Sequence, residues 1–171
     1  MSDFLSLAQS RYSCRKLSDR PVEPEKIEQI LAAAACAPTA VNKQPWHAWV
    51  VSDPEAVARI NETTRFGFGA KVIIVVGAAA GEAWVRKFDG RNFADVDASI
   101  VATQIMLEVQ DLGLGTTWVG HFDEPALKAA FPQMADYDLI AMFPIGYPAD
   151  DVEPGPMHAV RKPLADLVDR I

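Results

Sequence analysis

Two arginines bracket a tyrosine, a serine and a cysteine in Arg11-Tyr12-Ser13-Cys14-Arg15. Planar guanidinium groups match the geometry of a phosphate, and the serine hydroxyl adds a donor, so the cluster can cradle an anion. The same five residues can equally form a solvated basic turn. A second stretch with chemical content is Pro38-Thr39-Ala40-Val41-Asn42-Lys43-Gln44-Pro45-Trp46. Its compact polar side chains, Thr39, Asn42 and Gln44, stand between a proline stop and an apolar strand. Loops held that way often carry ligand contacts, although the composition alone also fits a simple connection. In a third stretch, Leu114 to Asp123, glycine permits close backbone approach to a ligand or merely turns a strand into a helix.

The elements that position these stretches are legible from periodicity and capping. Asp3 to Gln9 reads as a short helix, capped by Asp3, that delivers Arg11 to Arg15 at its end. Pro24 opens a helix with an apolar stripe of Ile27, Ile30, Leu31 and Ala34, and Pro38 pushes Cys36-Ala37 out of it. His47 to Val51 reads as a strand, followed by a helix from Pro54 to about Thr64 capped by Asp53. Lys71 to Gly77 is a near-continuous β-branched run that suits a central strand covered on both faces. Gly81 to Phe93 reads either as an aromatic lid over a flat ligand or, more commonly for such stretches, as a surface cluster. Asp95 to Leu112 is the longest helix, closed by Gly113. Leu114 to Asp123 then reads as a strand and Glu124 to Phe131 as a helix. A last buried strand spans Asp138 to Tyr147, with Leu139, Ala141, Phe143 and Ile145 alternating. A proline- and acid-rich run and a short final helix end the chain.

Length and composition narrow the function classes. A chain of 171 residues, half of them hydrophobic, suits one domain covering 1–171. A formal net charge of −7 argues against general nucleic-acid or anionic-membrane binding. No apolar run is long enough to span a bilayer, and the opening Met-Ser-Asp-Phe-Leu-Ser-Leu lacks the pattern of a signal peptide. Cys14 and Cys36 form no CxxC pair, and the three histidines show no metal-site spacing. A cytoplasmic protein with reduced thiols is the expectation. Cys14, between two arginines, has a setting that could activate a thiol, but a small filler suffices there.

Taken jointly, Arg11-Tyr12-Ser13-Cys14-Arg15 and Ala37-Pro38-Thr39-Ala40-Val41-Asn42-Lys43-Gln44-Pro45-Trp46 resemble the flavin-dependent nitroreductase family. Leu112 to Gly120 is similar to its glycine-rich strand beside the flavin ring, and Gly146-Tyr147-Pro148 to its strand end. The resemblance implies an α+β fold, a mostly antiparallel central sheet flanked by helices, in an intertwined homodimer with FMN at each subunit interface. It implies phosphate and ribityl contacts at Arg11, Ser13 and Arg161, with Tyr12 in the same segment. Arg15 would be the cation beside the ring's N1 and O2 edge. Pro38, Thr39, Ala40, Asn42 and Gln44 would come from the partner subunit. Trp118, Val119 and Gly120, with His121 a further candidate, would line the ring, one backbone amide facing N5. Arg161 and Lys162 are adjacent where members commonly space two basic residues by one, so Lys162 is not carried over as a phosphate contact.

The activity so implied is an oxidoreductase that passes a hydride from NAD(P)H through the flavin to a nitroaromatic, quinone-like or related small-molecule acceptor, by a ping-pong cycle. No catalytic side chain is required, because the flavin carries the chemistry. The alternatives are a flavoenzyme of the same fold with another reaction, such as dehydrogenation or dehalogenation, and a non-catalytic flavin-binding or sensor protein. A structural dimer without cofactor is the remainder.

Overall fold

The computed structural model describes residues 3–171. The elements run α1 (Phe4–Ser10), α2 (Pro24–Ala35), β1 (Trp46–Val51), α3 (Pro54–Thr63), β2 (Val72–Ala78), α4 (Ala94–Asp111), α5 (Glu124–Ala130) and β3 (Asp138–Ile145), with three short 3-10 turns between or after them. The strands form an antiparallel sheet in the order β1-β2-β3. The α+β expectation holds.

Alternation along β2 explains the layering. Val72, Ile74, Val76 and Ala78 pack with α2 and α4 on one face, while Ile73 and Val75 pack with α3 and α5 on the other. Every residue of β2 is buried, which accounts for its unbroken apolar run. In β3, Ala141, Phe143 and Ile145 share the α4 face, but Leu139 does not. The register shifts between Val76 and Gly77, so that Ala141 and Leu139 face consecutive residues and Ile140 is the extra one. A bulge of this kind reverses which face later residues occupy, and the simple alternation expected from Leu139 to Ile145 fails there.

Capping follows local chemistry at the N-termini of α3 and α5 and at the C-terminus of α4. Asp53 and Asp123 accept the amides of Ala56 and Ala126 at 2.9 and 3.0 Å. Gly113, at φ 70°, closes α4 in a Schellman arrangement: its N–H reaches Gln110 O, and Leu114 N–H reaches Val109 O. Lys26 of α2 donates to Leu112 O at 2.7 Å and supplies the cation that α4 lacks in its own last turn. Asp3 makes no side-chain cap bond, a correction to the expected cap. Helix α1 buries no residue, so water can serve its free amides.

Leu114 to Asp123 is not the regular strand that its sequence suggests. It meets β3 and the residue after it only in two isolated bridges, Val119 with Met142 and Gly115 with Gly146. Between them the Thr116 carbonyl turns away and accepts Cys14 N–H at 2.9 Å. The Arg11–Arg15 segment is thereby docked onto the glycine-rich segment. Gly115 is required at that junction, since a Cβ there would lie 2.7 Å from Cys14 Sγ and 2.9 Å from its Cβ. Gly115→Ala is expected to lower the melting temperature by about 3–10 °C, from an overpacking cost of about 1–3 kcal/mol. An unchanged melting curve would show that the two segments can part freely.

The chain after β3 turns back along Arg15–Ser18. Leu17 bridges Pro148, Ser18 N–H donates to Tyr147 O at 2.8 Å, and Lys16 pairs with Asp151. Tyr147 donates its hydroxyl to Glu23 at 2.6 Å, and Arg20 lies 3.7 Å from the centre of the Tyr147 ring. The Tyr147 bond, with help from Arg20, holds the Glu23 carboxyl at about 2, below its ordinary 4.5. A carboxyl depressed on folding stabilises above its unfolded value and loses that contribution as pH falls toward about 2. Tyr147→Phe is expected to return Glu23 toward its ordinary value, measured by carboxyl-carbon NMR titration. It should also flatten the acid limb of the stability curve.

The expected final helix is only a 3-10 turn, Leu164–Asp166. Every residue from 161 to 171 is exposed, and short helices need packing to persist. Among the described residues no helix is long and apolar enough to cross a membrane, and no metal-binding group of His, Cys, Asp or Glu occurs.

Candidate functional site

Two clefts meet at Arg15. The first, of about 300 Å³, is lined by Arg11, Ser13, Arg15, Gly155, Pro156, Met157, His158 and Arg161. Residues separated by more than 140 positions thus share one wall. Arg11 reaches it as the C-terminal cap of α1, and Arg161 as part of the returning tail, which turns through a His158 N–H bond to Gly155 O. Tyr12 stands beside it with its ring edge-on to His158, centroids 6.3 Å apart. Burial pushes the Tyr12 phenol up to about 12, with nearby Cys14 reinforcing the shift.

The electrostatics of this cleft point to an anion. Partial burial lowers the Arg11 guanidinium below its ordinary value, and the charge of Arg161 lowers it further. Two cations lining one cleft with a serine hydroxyl repel each other until a negative group joins them. A phosphate satisfies the geometry and the charge together. Lys162 is not among the lining residues.

The second cleft is lined by Arg15, Phe66, Phe68, Thr117, Trp118, Val119, Gly120 and His121. Arg15 is the side chain common to both. Val119 exchanges both backbone bonds with Met142, at 3.0 and 2.9 Å, so its N–H is already committed. The next amide, Gly120, makes no hydrogen bond among the described residues and sits in an exposed position. Of the expected ring-facing amides, that of Val119 is therefore excluded as a donor, and those of Trp118, Gly120 and His121 are available. Trp118 packs edge-on against Phe143, centroids 5.4 Å apart, which sets its orientation.

Phe66 and Phe68 have no counterpart among the residues singled out from the sequence. They lie on the connection between α3 and β2, with ring centroids 5.9 Å apart, and Phe66 packs edge-on against His121 at 5.4 Å. Phe68 has a φ of 50°. The available signal was the alternation of aromatic and glycine in Phe66-Gly67-Phe68-Gly69. Gly81 to Phe93 contributes no lining residue to either cleft. Trp84 and Phe93 pack edge-on, centroids 5.1 Å apart, in a local surface cluster, and Phe88 is 98% exposed. Cys14 is buried with its thiol directed at Lys16 O, a filler's environment, while Cys36 is exposed.

Pro38, Thr39, Ala40, Asn42 and Gln44 line neither cleft within one chain. They form a tight loop in which Thr39 Oγ1 accepts Gln44 N–H at 3.0 Å and Gln44 Nε2 donates to Asn42 O at 3.2 Å. The loop is open to solvent at Asn42, Lys43 and Gln44.

Comparison with known proteins gives this geometry its context. The Nitroreductase family model matches residues 8–68 and 61–147, a span that holds the whole second cleft, the Arg11–Arg15 wall of the first and the loop, while Gly155–Arg161 lie beyond it. A protein of Methanothermobacter thermautotrophicus named "Putative NADH dehydrogenase/NAD(P)H nitroreductase" is 33% identical over 87% of this chain and 79% of its own. A nitroreductase family protein of Clostridium difficile superposes with a TM-score of 0.90 at 32% identity, covering 98% of each chain. A Desulfovibrio desulfuricans chain crystallised in complex with FMN superposes with a TM-score of 0.80 at 26% identity, covering 100% of this chain and 98% of that one. The iodotyrosine deiodinase of Nematostella vectensis is a weaker match, 23% identical over 98% of this chain and 74% of its own. The matched span runs through α1, the loop after α2, the glycine-rich segment and β3, and on that ground the chain belongs to the nitroreductase family.

Proposed function

We propose that the protein is an FMN-dependent oxidoreductase that takes electrons from NAD(P)H and delivers them to a nitroaromatic, quinone-like or related small-molecule acceptor. The observation that carries the reading is the pair of clefts joined at Arg15, one cationic and one aromatic with a free amide. That is the shape of a site for a flat ring with a phosphate tail. FMN, once bound, supplies the two-electron chemistry.

The chain's residues have separable tasks in this reading. Arg11, Ser13 and Arg161 hold the phosphate, and Tyr12 closes the wall behind it. Arg15 places a positive charge between tail and ring. Gly120 offers its N–H to the ring edge, while Trp118 and Val119 form the adjoining backbone. Phe66 and Phe68 supply a nonpolar wall that keeps water from the ring. No side chain is assigned as an acid or base.

A homodimer accompanies the proposal, with residues 1–171 acting as one FMN-binding domain. Phe4, Leu5, Val41, Leu164, Leu167, Val168 and Ile171 are exposed apolar side chains in the single chain. A second copy would cover them and would bring Pro38–Gln44 to a cleft that its own chain does not supply. The test is direct. Purified protein saturated with FMN should show a bound-flavin spectrum, behave as a dimer in light scattering, and bleach anaerobically with NADH or NADPH. Binding without bleaching would support the sensor reading, and a preparation indifferent to FMN would overturn the proposal.

The deiodinase match favours a second reaction at the same site, reductive loss of halide from a halogenated phenol. Iodide release from iodotyrosine, compared with turnover of a nitroaromatic, separates the two.

A further inference from the structure

Asp97 is 1% exposed, an acidic side chain among Ala94, Ala98, Val101 and Ala102 of the buried side of α4. One carboxylate oxygen accepts the Ala40 N–H at 2.9 Å. The other is buried and has no hydrogen-bond partner among the described residues. A half-satisfied buried carboxylate is costly and calls for a reason. Its place in the first turn of α4 offsets part of that cost, because the helix dipole favours a negative group there.

The group that Asp97 holds is itself strained. Val41, Asn42 and Gln44 have φ values of 47°, 55° and 52°, a region that residues with a Cβ seldom occupy. Such backbone persists when surrounding contacts over-determine it, and it clusters where ligands are gripped. The internal bonds of the loop close it on itself, from Asn42 N–H to Thr39 O and from Lys43 N–H to Ala40 O. Among the described residues, the Asp97 carboxylate is the one side chain from another element that hydrogen-bonds the 38–44 segment.

We infer that Asp97 is a positioning residue: its buried carboxylate latches the Thr39–Gln44 loop to α4 in the left-handed geometry that presents Thr39, Asn42 and Gln44 to the flavin site of a second copy. The inference rests on the flavin reading for its ligand, but the latch itself is a property of the chain. Since only one oxygen engages the loop, Asp97→Asn keeps the latch by keeping that acceptor. Asp97→Ala removes it and leaves the Ala40 amide unpaired.

Hydrogen exchange by mass spectrometry on flavin-free protein tests the latch, and titration with FMN and riboflavin tests its purpose. In Asp97→Ala, exchange across 38–45 should rise about tenfold or more while β2 and β3 stay protected. Affinity for FMN and for riboflavin should fall together, by about tenfold, because Thr39, Asn42 and Gln44 are not part of the Arg11–Ser13–Arg161 cleft assigned to the phosphate. Asp97→Asn should stay within about threefold of the unmutated protein in every measurement. Asp97→Ser, too short to reach Ala40, takes the place of the alanine variant if that fails to fold. Unchanged exchange at 38–45, loosening that spreads into β2 and β3, or equal damage from asparagine and alanine would each overturn the latch. Faster exchange without loss of flavin affinity would overturn its role at the site. Should the unmutated protein bind neither flavin, the functional reading fails, and the exchange experiment still decides the latch.

Discussion

Arg11→Ala is expected to weaken FMN binding by about ten- to a hundredfold while leaving riboflavin affinity within about threefold, measured by quenching of flavin fluorescence. The range follows from a hydrogen bond to a charged group, about 1.5–3 kcal/mol. Selectivity for the phosphorylated ligand follows from position. Arg11 lines the cleft with Ser13 and Arg161 and is absent from the aromatic cleft. The free protein should not suffer from the change. Burial and the charge of Arg161 both disfavour the charged form of Arg11 in the folded chain, so its removal relieves repulsion when no phosphate is bound. The melting temperature of the flavin-free variant should therefore be unchanged or higher, and the stabilisation conferred by added FMN should shrink. Equal losses for FMN and riboflavin would show that Arg11 acts through something other than phosphate.

Arg15→Ala should retain FMN with modest loss and lower its midpoint potential by tens of millivolts. Reduction adds negative charge to the ring system, and a fixed cation nearby favours it. A unit charge about 4 Å away at an effective dielectric near 20 contributes on the order of 4 kcal/mol. About 1.4 kcal/mol corresponds to about 30 mV for a two-electron couple. Arg15 is exposed, so solvent and salt reduce the unscreened value to the tens of millivolts stated. Arg15→Lys keeps the charge and should keep most of the potential, which separates charge from guanidinium geometry. An unchanged potential in the FMN-loaded alanine variant would remove Arg15 from this role.

These two arginines were visible as candidates in the linear sequence because their spacing around Ser13 is local. Arg161 was visible only through its family resemblance, and the structure supplies the physical reason for its place. The tail is laid against Arg15–Ser18 by the Leu17–Pro148 bridge and the Lys16–Asp151 pair, contacts that no window of sequence contains. Phe66 and Phe68 went unread for the same reason. Their loop looks like punctuation between a helix and a strand until His121 is packed against it. In the glycine-rich segment, a local reading identified the residues but not their pairing. The carbonyl of Thr116 had a competing donor in Cys14, and that donor broke the strand.

What the amino-acid order determined by itself was whatever depends on neighbours a few residues apart. Asp53 and Asp123 cap their helices, Gly113 ends the longest one, and the β-branched run of β2 is buried on both faces. Those outcomes rest on backbone sterics, short-range hydrogen bonds and the twofold repeat of a strand. Tertiary structure alone decided the bulge that moves Leu139 to the opposite face, the meeting of Arg11 with Arg161, and the burial of Asp97 beneath Ala40. Each of these is a choice among partners distant in the chain, made by the packing of the whole core, and local propensity carries no record of it.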